Sequence, residues 1–206
     1  MIVTKGQLIQ SLYNSGILTS IELIKAFEKV DRVDFVTANN LINAYQDNAL
    51  PIGYGQTISQ PTTVAFMLEK LQLSAGEKVL DIGSGSGWTT ALIAHIVGSE
   101  GEVIGVERVP ELVEFGKKNL EKYAFNNAKI ICAGDTLGFA EKGPYDKVLV
   151  SASARSVPVD LIKQLKLGGV LVTPVRNSIY KITRVSEESY EKEEHYGFIF
   201  VPLIHQ

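Results

Sequence analysis

Between Lys78 and Trp88 the chain reads Lys-Val-Leu-Asp-Ile-Gly-Ser-Gly-Ser-Gly-Trp, and this stretch limits most strongly what the chain can fold into. The apolar run Val79, Leu80, Ile82 enters Gly83, Gly85 and Gly87, and a helical pattern from Thr89 to Val97, closed by Gly98, follows. The order is strand, glycine turn, helix. Glycines permit positive φ and let a ligand approach the backbone, while the first N–H groups of the helix and Asp81 at the strand end supply polar contacts. Such a turn is a cofactor cradle. A dinucleotide fingerprint beginning at Gly83 needs a third glycine at position 88, where Trp88 stands, so the spacing argues against a nicotinamide cofactor.

The length of 206 residues and the 45% hydrophobic content fit one domain. Within it, residues 1–73 form an N-terminal helical layer with a substrate loop, and 74–206 a cofactor-binding core with C-terminal strands. Lys+Arg 20 against Asp+Glu 23 gives a net charge of −3 with no basic run, which gives nucleic acid no charged surface to bind. The single cysteine, Cys132, excludes an intrachain disulfide, and no cysteine cluster suggests a metal. Its apolar strand context places Cys132 in the core. There is no signal-peptide pattern and no apolar run of bilayer length, so a cytoplasmic protein without a membrane segment is expected. The sequence does not set the oligomeric state and is compatible with a monomer.

Thr4 to Gln7 and Thr19 to Glu22 both match a capping box and precede helically spaced apolar residues, predicting two short opening helices. Asp31–Val36 and Asn39–Tyr45 continue without a strand period. Asp47 to Pro61 reads as a long connection without regular structure. Its Leu50, Ile52, Tyr54 and Ile58 are too apolar for a solvated loop and suggest the wall of a pocket. A helix over 62–71 leads to the central strand. Strands are then expected at 101–107, 129–132, 145–150 and 170–173, with helices at 110–123 and 158–165. Two further strands, 180–185 and 198–201, flank an acidic run from Glu187 to His195, read as a solvated hairpin tip. Alternation of this kind builds a mostly parallel sheet with helices on both faces.

Ligands of open α/β sheets lie beyond the C-terminal strand ends, where the strand order reverses. Asp81 to Gly87, Glu107, Gly134-Asp135-Thr136 and Ser151 to Ser153 all follow such ends. Glu107 is placed to accept from ribose hydroxyls and Asp135 from an adenine amino group. With an acid at the end of the next strand, the Asp-x-Gly-x-Gly-x-Gly turn resembles the S-adenosylmethionine site of Rossmann-like methyltransferases. That resemblance assigns the cofactor to Asp81, Gly83, Ser84, Gly85, Gly87, Glu107, Gly134, Asp135 and Thr136.

A more specific resemblance adds Leu50-Pro-Ile-Gly, Gly55-Gln-Thr-Ile-Ser-Gln-Pro61, Pro144-Tyr-Asp, Gln164-Leu-Lys-Leu-Gly-Gly and Phe200-Val-Pro-Leu203. Together these resemble the protein-L-isoaspartate O-methyltransferases over nearly the whole chain. The glycine turn is shared with many methyltransferases, and the loop from Thr57 to Pro61 is the specific element. The resemblance implies a Rossmann-like α/β methyltransferase fold with an N-terminal helical layer and C-terminal antiparallel strands. It also implies methyl transfer from S-adenosylmethionine to the free carboxylate of isoaspartyl residues in damaged proteins or peptides. The ester then closes to a succinimide, which hydrolyses in part to normal aspartate. Ser59 is the family's active-site residue, and Thr57, Ile58 and Ser59 are expected to meet the substrate.

The chemistry agrees with the residues. A carboxylate with a pKa of about 4 is already ionised at neutral pH, so the nucleophile needs no general base. Alignment with water excluded is the main requirement. Accordingly His95, His195 and His205 all lie outside the site loops and read as structural. Asp81, Trp88, Arg155 and Arg176 depart from the family's commoner Glu, Tyr, Pro and Gly. The two arginines lie near the expected substrate mouth. A methyltransferase with another acceptor and a non-catalytic S-adenosylmethionine-binding protein are the alternatives, and the intact loop around Ser59 argues against the second.

Overall fold

Thr4 starts the first helix, α1 (Lys5–Asn14), by a complete capping box: its hydroxyl accepts from the Gln7 N–H, and the Gln7 side chain accepts from the Thr4 N–H. The computed structural model describes residues 2–203. The second expected box does not form. Ser20 precedes α2 (Ile21–Lys29) without a side-chain cap bond. Glu69, on α3 (Pro61–Leu71), instead accepts from the Thr19 and Ser20 N–H groups at 2.7 and 2.8 Å. A carboxylate from a neighbouring helix therefore satisfies the orphan amides and ties α2 to α3. Arg32–Phe35 and Ala38–Asn43 are short 3-10 turns.

The connection between Asp47 and Pro61, expected to be irregular, holds an antiparallel hairpin of β1 (Leu50–Gly53) and β2 (Gln56–Ile58). Tyr54 and Gly55 form its two-residue turn with φ of 55° and 71°. Positive φ at both positions matches the right-handed twist of paired strands. A tyrosine at the first of them hid the turn, because Asn, Asp or Gly ordinarily stands there. Asp47 closes the segment by accepting from the Thr62 N–H at 2.8 Å and hydroxyl at 2.7 Å, which also caps α3.

The main sheet has seven strands in the order β5-β4-β3-β6-β7-β8-β9. Its parallel part comprises β3 (Lys78–Ile82), β4 (Glu102–Glu107), β5 (Ala128–Cys132), β6 (Tyr145–Val150) and β7 (Leu165–Val175). The last two, β8 (Ser178–Arg184) and β9 (Tyr190–Tyr196), run antiparallel. Between the strands lie α4 (Trp88–Val97), α5 (Pro110–Glu121) and the four-residue α6 (Val159–Ile162). Alternate strand residues enter two separate apolar clusters, as period-2 geometry requires. Val79, Val103 and Leu149 pack with α1 to α5, while Leu80, Ile104 and Val148 pack with α6, Leu165 and the chain around Leu137 and Phe139. Helices cover both faces, but one carries most of them.

Three further expectations are corrected. Cys132 is exposed, because β5 is an edge strand and Cys132 is its last residue. The acidic run is mostly strand: β9 occupies Tyr190–Tyr196, and the turn lies before it, where the Val185 N–H donates to the Ser189 carbonyl. An outer strand with little buried surface shows no hydrophobic alternation, and its charges protect the open edge. The chain over 198–201 forms no strand. It crosses the strand ends, and the N–H groups of Ser153 and Leu203 donate to Val201 and Ser153 carbonyls, each at 2.8 Å.

Candidate active site

The strand order reverses at β3, whose neighbours are β4 and β6, and the cavity opens at the C-terminal ends of these strands. This is where an open α/β sheet leaves a crevice. The glycine turn makes its floor. Gly83, Gly85 and Gly87 have φ of 76°, 52° and 86°, which L side chains adopt only with strain. Close approach adds a second requirement at Gly87, where a Cβ would sit 3.1 Å from both the Gly116 carbonyl oxygen and Ile130 Cδ1. Gly87 is also the residue preceding α4, and no side chain caps that helix. Its first amides and its dipole thus face the cavity at Trp88 and Thr89.

Glu107 ends β4 and braces this floor. One carboxylate oxygen accepts from the Gly85 N–H at 3.0 Å, the other from the Arg108 and Val109 N–H groups at 2.7 and 3.0 Å. The side chain is buried yet lines the cavity, so its remaining lone pairs suit ligand hydroxyls. Asp81 is placed differently. It is fully buried beneath the turn, away from the cavity lining, and accepts from the Thr89 and Thr90 hydroxyls at 2.7 and 2.6 Å. Burial pushes its carboxyl up to about 6, against the lowering effect of the two threonine hydroxyls. Its second oxygen, Ser84 Oγ and Trp88 Nε1 are buried without partners among the described residues.

The opposite wall is β2 and the residue after it. Thr57, Ile58 and Ser59 all line the cavity; Ile58 is buried and Ser59 half-buried. Among the described residues nothing bonds the Ser59 hydroxyl, whereas the Ser59 carbonyl accepts from Arg32 Nη2 at 3.0 Å. Arg32 is itself buried and gave no signal in the sequence, since a single arginine in a polar stretch reads as a solvated charge. Ile52 on β1 reaches the glycine turn: a Cβ on Gly85 would sit 3.3 Å from Ile52 Cδ1.

A third wall follows β5. Gly134, Asp135 and Thr136 are exposed and line the cavity. The segment is held by Gln164, whose side chain accepts from the Phe139 N–H and donates to the Leu137 carbonyl, both at 2.9 Å. Gly138 leaves room for that clamp, for a Cβ there would lie 2.5 Å from Gln164 Oε1. Of the expected site residues, the cavity gathers Thr57, Ile58, Ser59, Gly83, Ser84, Gly85, Glu107, Gly134, Asp135 and Thr136, and leaves Asp81 and Gly87 outside its lining. Sequence reasoning gave no site role to Val201, Pro202 and Leu203, which also line it. His95 and His195 stand away from it, His195 against Phe66 with ring centroids 5.2 Å apart; His205 lies outside the described residues. No group of three or more potential metal ligands occurs among the described residues.

Three comparisons with known proteins point to one family. The family model for protein-L-isoaspartate(D-aspartate) O-methyltransferase matches residues 3–206. The protein-L-isoaspartate O-methyltransferase of Ignicoccus hospitalis is 41% identical over 207 residues, spanning 98% of each chain. That of Thermococcus onnurineus is 45% identical over 202 residues, 95% of this chain and 91% of its own. Among solved structures, a Plasmodium falciparum protein assigned to the same activity and bound to S-adenosyl-L-homocysteine superposes with a TM-score of 0.87 at 28% identity, covering 98% of both chains.

Proposed function

The chain belongs to the protein-L-isoaspartate O-methyltransferase family, and from that premise we propose that it methylates isoaspartyl carboxylates in the cleft between its glycine turn and Ser59. It is an S-adenosylmethionine-dependent methyltransferase whose reaction begins the repair of damaged proteins. The cradle suits that cofactor. Ser84 Oγ and Trp88 Nε1 are buried polar groups of residues in the cavity wall, without partners among the described residues, and a Cβ at Gly85 would need Ile52 to give by a few tenths of an ångström. The turn from Gly83 to Gly85 and the α4 amides would hold the amino-acid end, Glu107 the ribose, and Asp135 with Thr136 the adenine. Asp81 and Gly87 serve the cofactor by shaping the turn from beneath. When bound, S-adenosylmethionine supplies a methyl group on an electrophilic sulfonium.

What the protein adds is placement. The incoming carboxylate is ionised and needs no base, and no histidine among the described residues lines the cavity. The Ser59 hydroxyl donates to that carboxylate and orients it, while Thr57 and Ile58 form the surrounding wall. Buried Ile52, Ile58 and Val64 exclude water, so the orienting bond operates in a low dielectric. The observation that carries the reading is that Ser59, whose hydroxyl has no partner among the described residues, lines the same cavity as the glycine turn and Glu107. Its substrates are isoaspartyl-containing peptides and proteins. We place the reaction in the cytoplasm: the single cysteine has no partner for a disulfide, and no helix among the described residues is long and apolar enough to cross a membrane. The methyltransferase unit spans the helical layer (1–73) and the core (74–206) as one domain, sufficient as a monomer.

Ser59→Ala tests this. A hydrogen bond to a charged group is worth about 1.5–3 kcal/mol, which predicts a loss of roughly 10- to 100-fold in kcat/KM for an isoaspartyl peptide. S-adenosylhomocysteine affinity should change less than about threefold, because Ser59 contributes no charge or dipole needed by the cofactor. Full activity in Ser59→Ala would remove it from the mechanism.

A further inference from the structure

We infer that Arg32 is the positioning residue of the substrate wall: it fixes the main chain of Ser59 and clamps it against Trp88 at the start of the cofactor helix. The inference rests on the assignment of Ser59 to the substrate. Arg32 is 2% exposed and no carboxylate bonds it among the described residues. Its guanidinium donates to four carbonyl oxygens: Nη1 to Ala44 and to Gln46 at 3.3 Å, Nη2 to Asn48 at 2.9 Å and to Ser59 at 3.0 Å. Those carbonyls bracket the hairpin, three before β1 and one after β2. The guanidinium also lies over the Trp88 ring, 5.2 Å from its centroid. Trp88 is buried, packs edge-on against Phe27 and lines the cavity.

Only arginine offers this combination. A planar fork with five donors can serve several carbonyls at once and stack on an indole, whereas a lysine is a point charge with three donors. Burial is expensive for a cation, even with the Asp47 carboxylate near enough to favour its charge, so a fold retains one where it fixes something. Burial lowers the Arg32 pKa to about 10, which leaves it charged at neutral pH. The clamp closes on both sides of the cleft: the Ser59 carbonyl belongs to the substrate wall, and Trp88 opens the helix whose amides face the cofactor. Because the bond holds the Ser59 main chain, it sets where the Ser59 hydroxyl can point. A shift of about 1 Å at such a group is enough to cost roughly 100-fold in rate.

The test uses Arg32→Lys, which keeps the charge and loses the fork. We expect kcat for an isoaspartyl peptide to fall about 10- to 100-fold, with S-adenosylhomocysteine affinity within about threefold of the parent. Introduced into Ser59→Ala, the same substitution should cost less than about threefold more, because two residues acting through one hydroxyl are not additive. Trp88 is the only tryptophan, so its emission should also shift in Arg32→Lys. Multiplying losses, parent-like activity, or an equal loss of cofactor affinity would overturn the inference. Full activity in Ser59→Ala alone would instead remove the reading on which it rests. Should Arg32→Lys fail to fold, the parent protein decides: at saturating S-adenosylhomocysteine, isoaspartyl peptide should change the Trp88 emission, and no change would overturn the clamp.

Discussion

Asp81 lies fully buried beneath the glycine turn and does not line the cavity. Its folded-state carboxyl, raised to about 6 by burial, holds its proton more tightly than an aspartate of the unfolded chain, which titrates near 4. The native state therefore binds more protons between these values, and stability from this group falls as pH rises from about 4 to 6, then levels off. Asp81→Asn keeps an acceptor for Thr89 and Thr90 and carries no charge. Measured without cofactor, its Tm should gain on the parent across that window and stay ahead above it. Parallel Tm profiles would contradict the buried-acid account. At this scale the sequence was legible where a motif fixes a residue's place, as with Ser59 and Glu107, which both line the cavity. It was opaque where burial decides, because nothing in the local pattern around Arg32 or Cys132 tells which side faces the interior.

Among elements, the junction of the glycine turn with α5 is tightly built. A Cβ on Gly116 would lie 2.7 Å from Ile130 Cδ1 and 3.0 Å from the Gly85 carbonyl oxygen. Alanine in place of glycine favours a helix by about 1 kcal/mol, but overpacking against backbone costs about 1–3 kcal/mol, so the clash decides the sign. Gly116→Ala should lower Tm and weaken S-adenosylhomocysteine binding together, since one of the two atoms it strikes, the Gly85 carbonyl oxygen, belongs to the glycine turn that floors the cavity. Gly6→Ala, in open space on α1, should leave binding unchanged and raise stability by up to about 1 kcal/mol. Unchanged binding in Gly116→Ala would show that the floor tolerates movement. The strand, turn and helix of the floor could be read because local signals and tertiary packing agree there. The caps differed: Thr4 closes its own helix, whereas α2 borrows Glu69 from α3, a partner 49 residues away from Ser20. The hairpin before Ser59 escaped notice for a related reason, since tertiary bonds from Arg32 and Asp47 fix a segment whose turn residues are unusual.

Across the whole molecule, the cleft is closed by parts far apart in sequence. The parallel core supplies the floor at its switch point, the N-terminal layer brings the Ser59 wall, and the chain over 201–203 completes the lining. The core could be anticipated from alternating strands and helices, because parallel sheets impose that rhythm. The C-terminal crossing could not, for it is held by two main-chain bonds at Ser153 and leaves no periodic trace. This shared cleft is expected to accept an isoaspartyl carboxylate. Incubation with methyl-labelled S-adenosylmethionine and paired peptides, identical except for an isoaspartyl or aspartyl linkage, tests it most directly. Base-labile methyl ester should form on the isoaspartyl peptide and be close to absent from its aspartyl twin. Equal labelling of the two, or none on either while S-adenosylmethionine is demonstrably bound, would contradict the account.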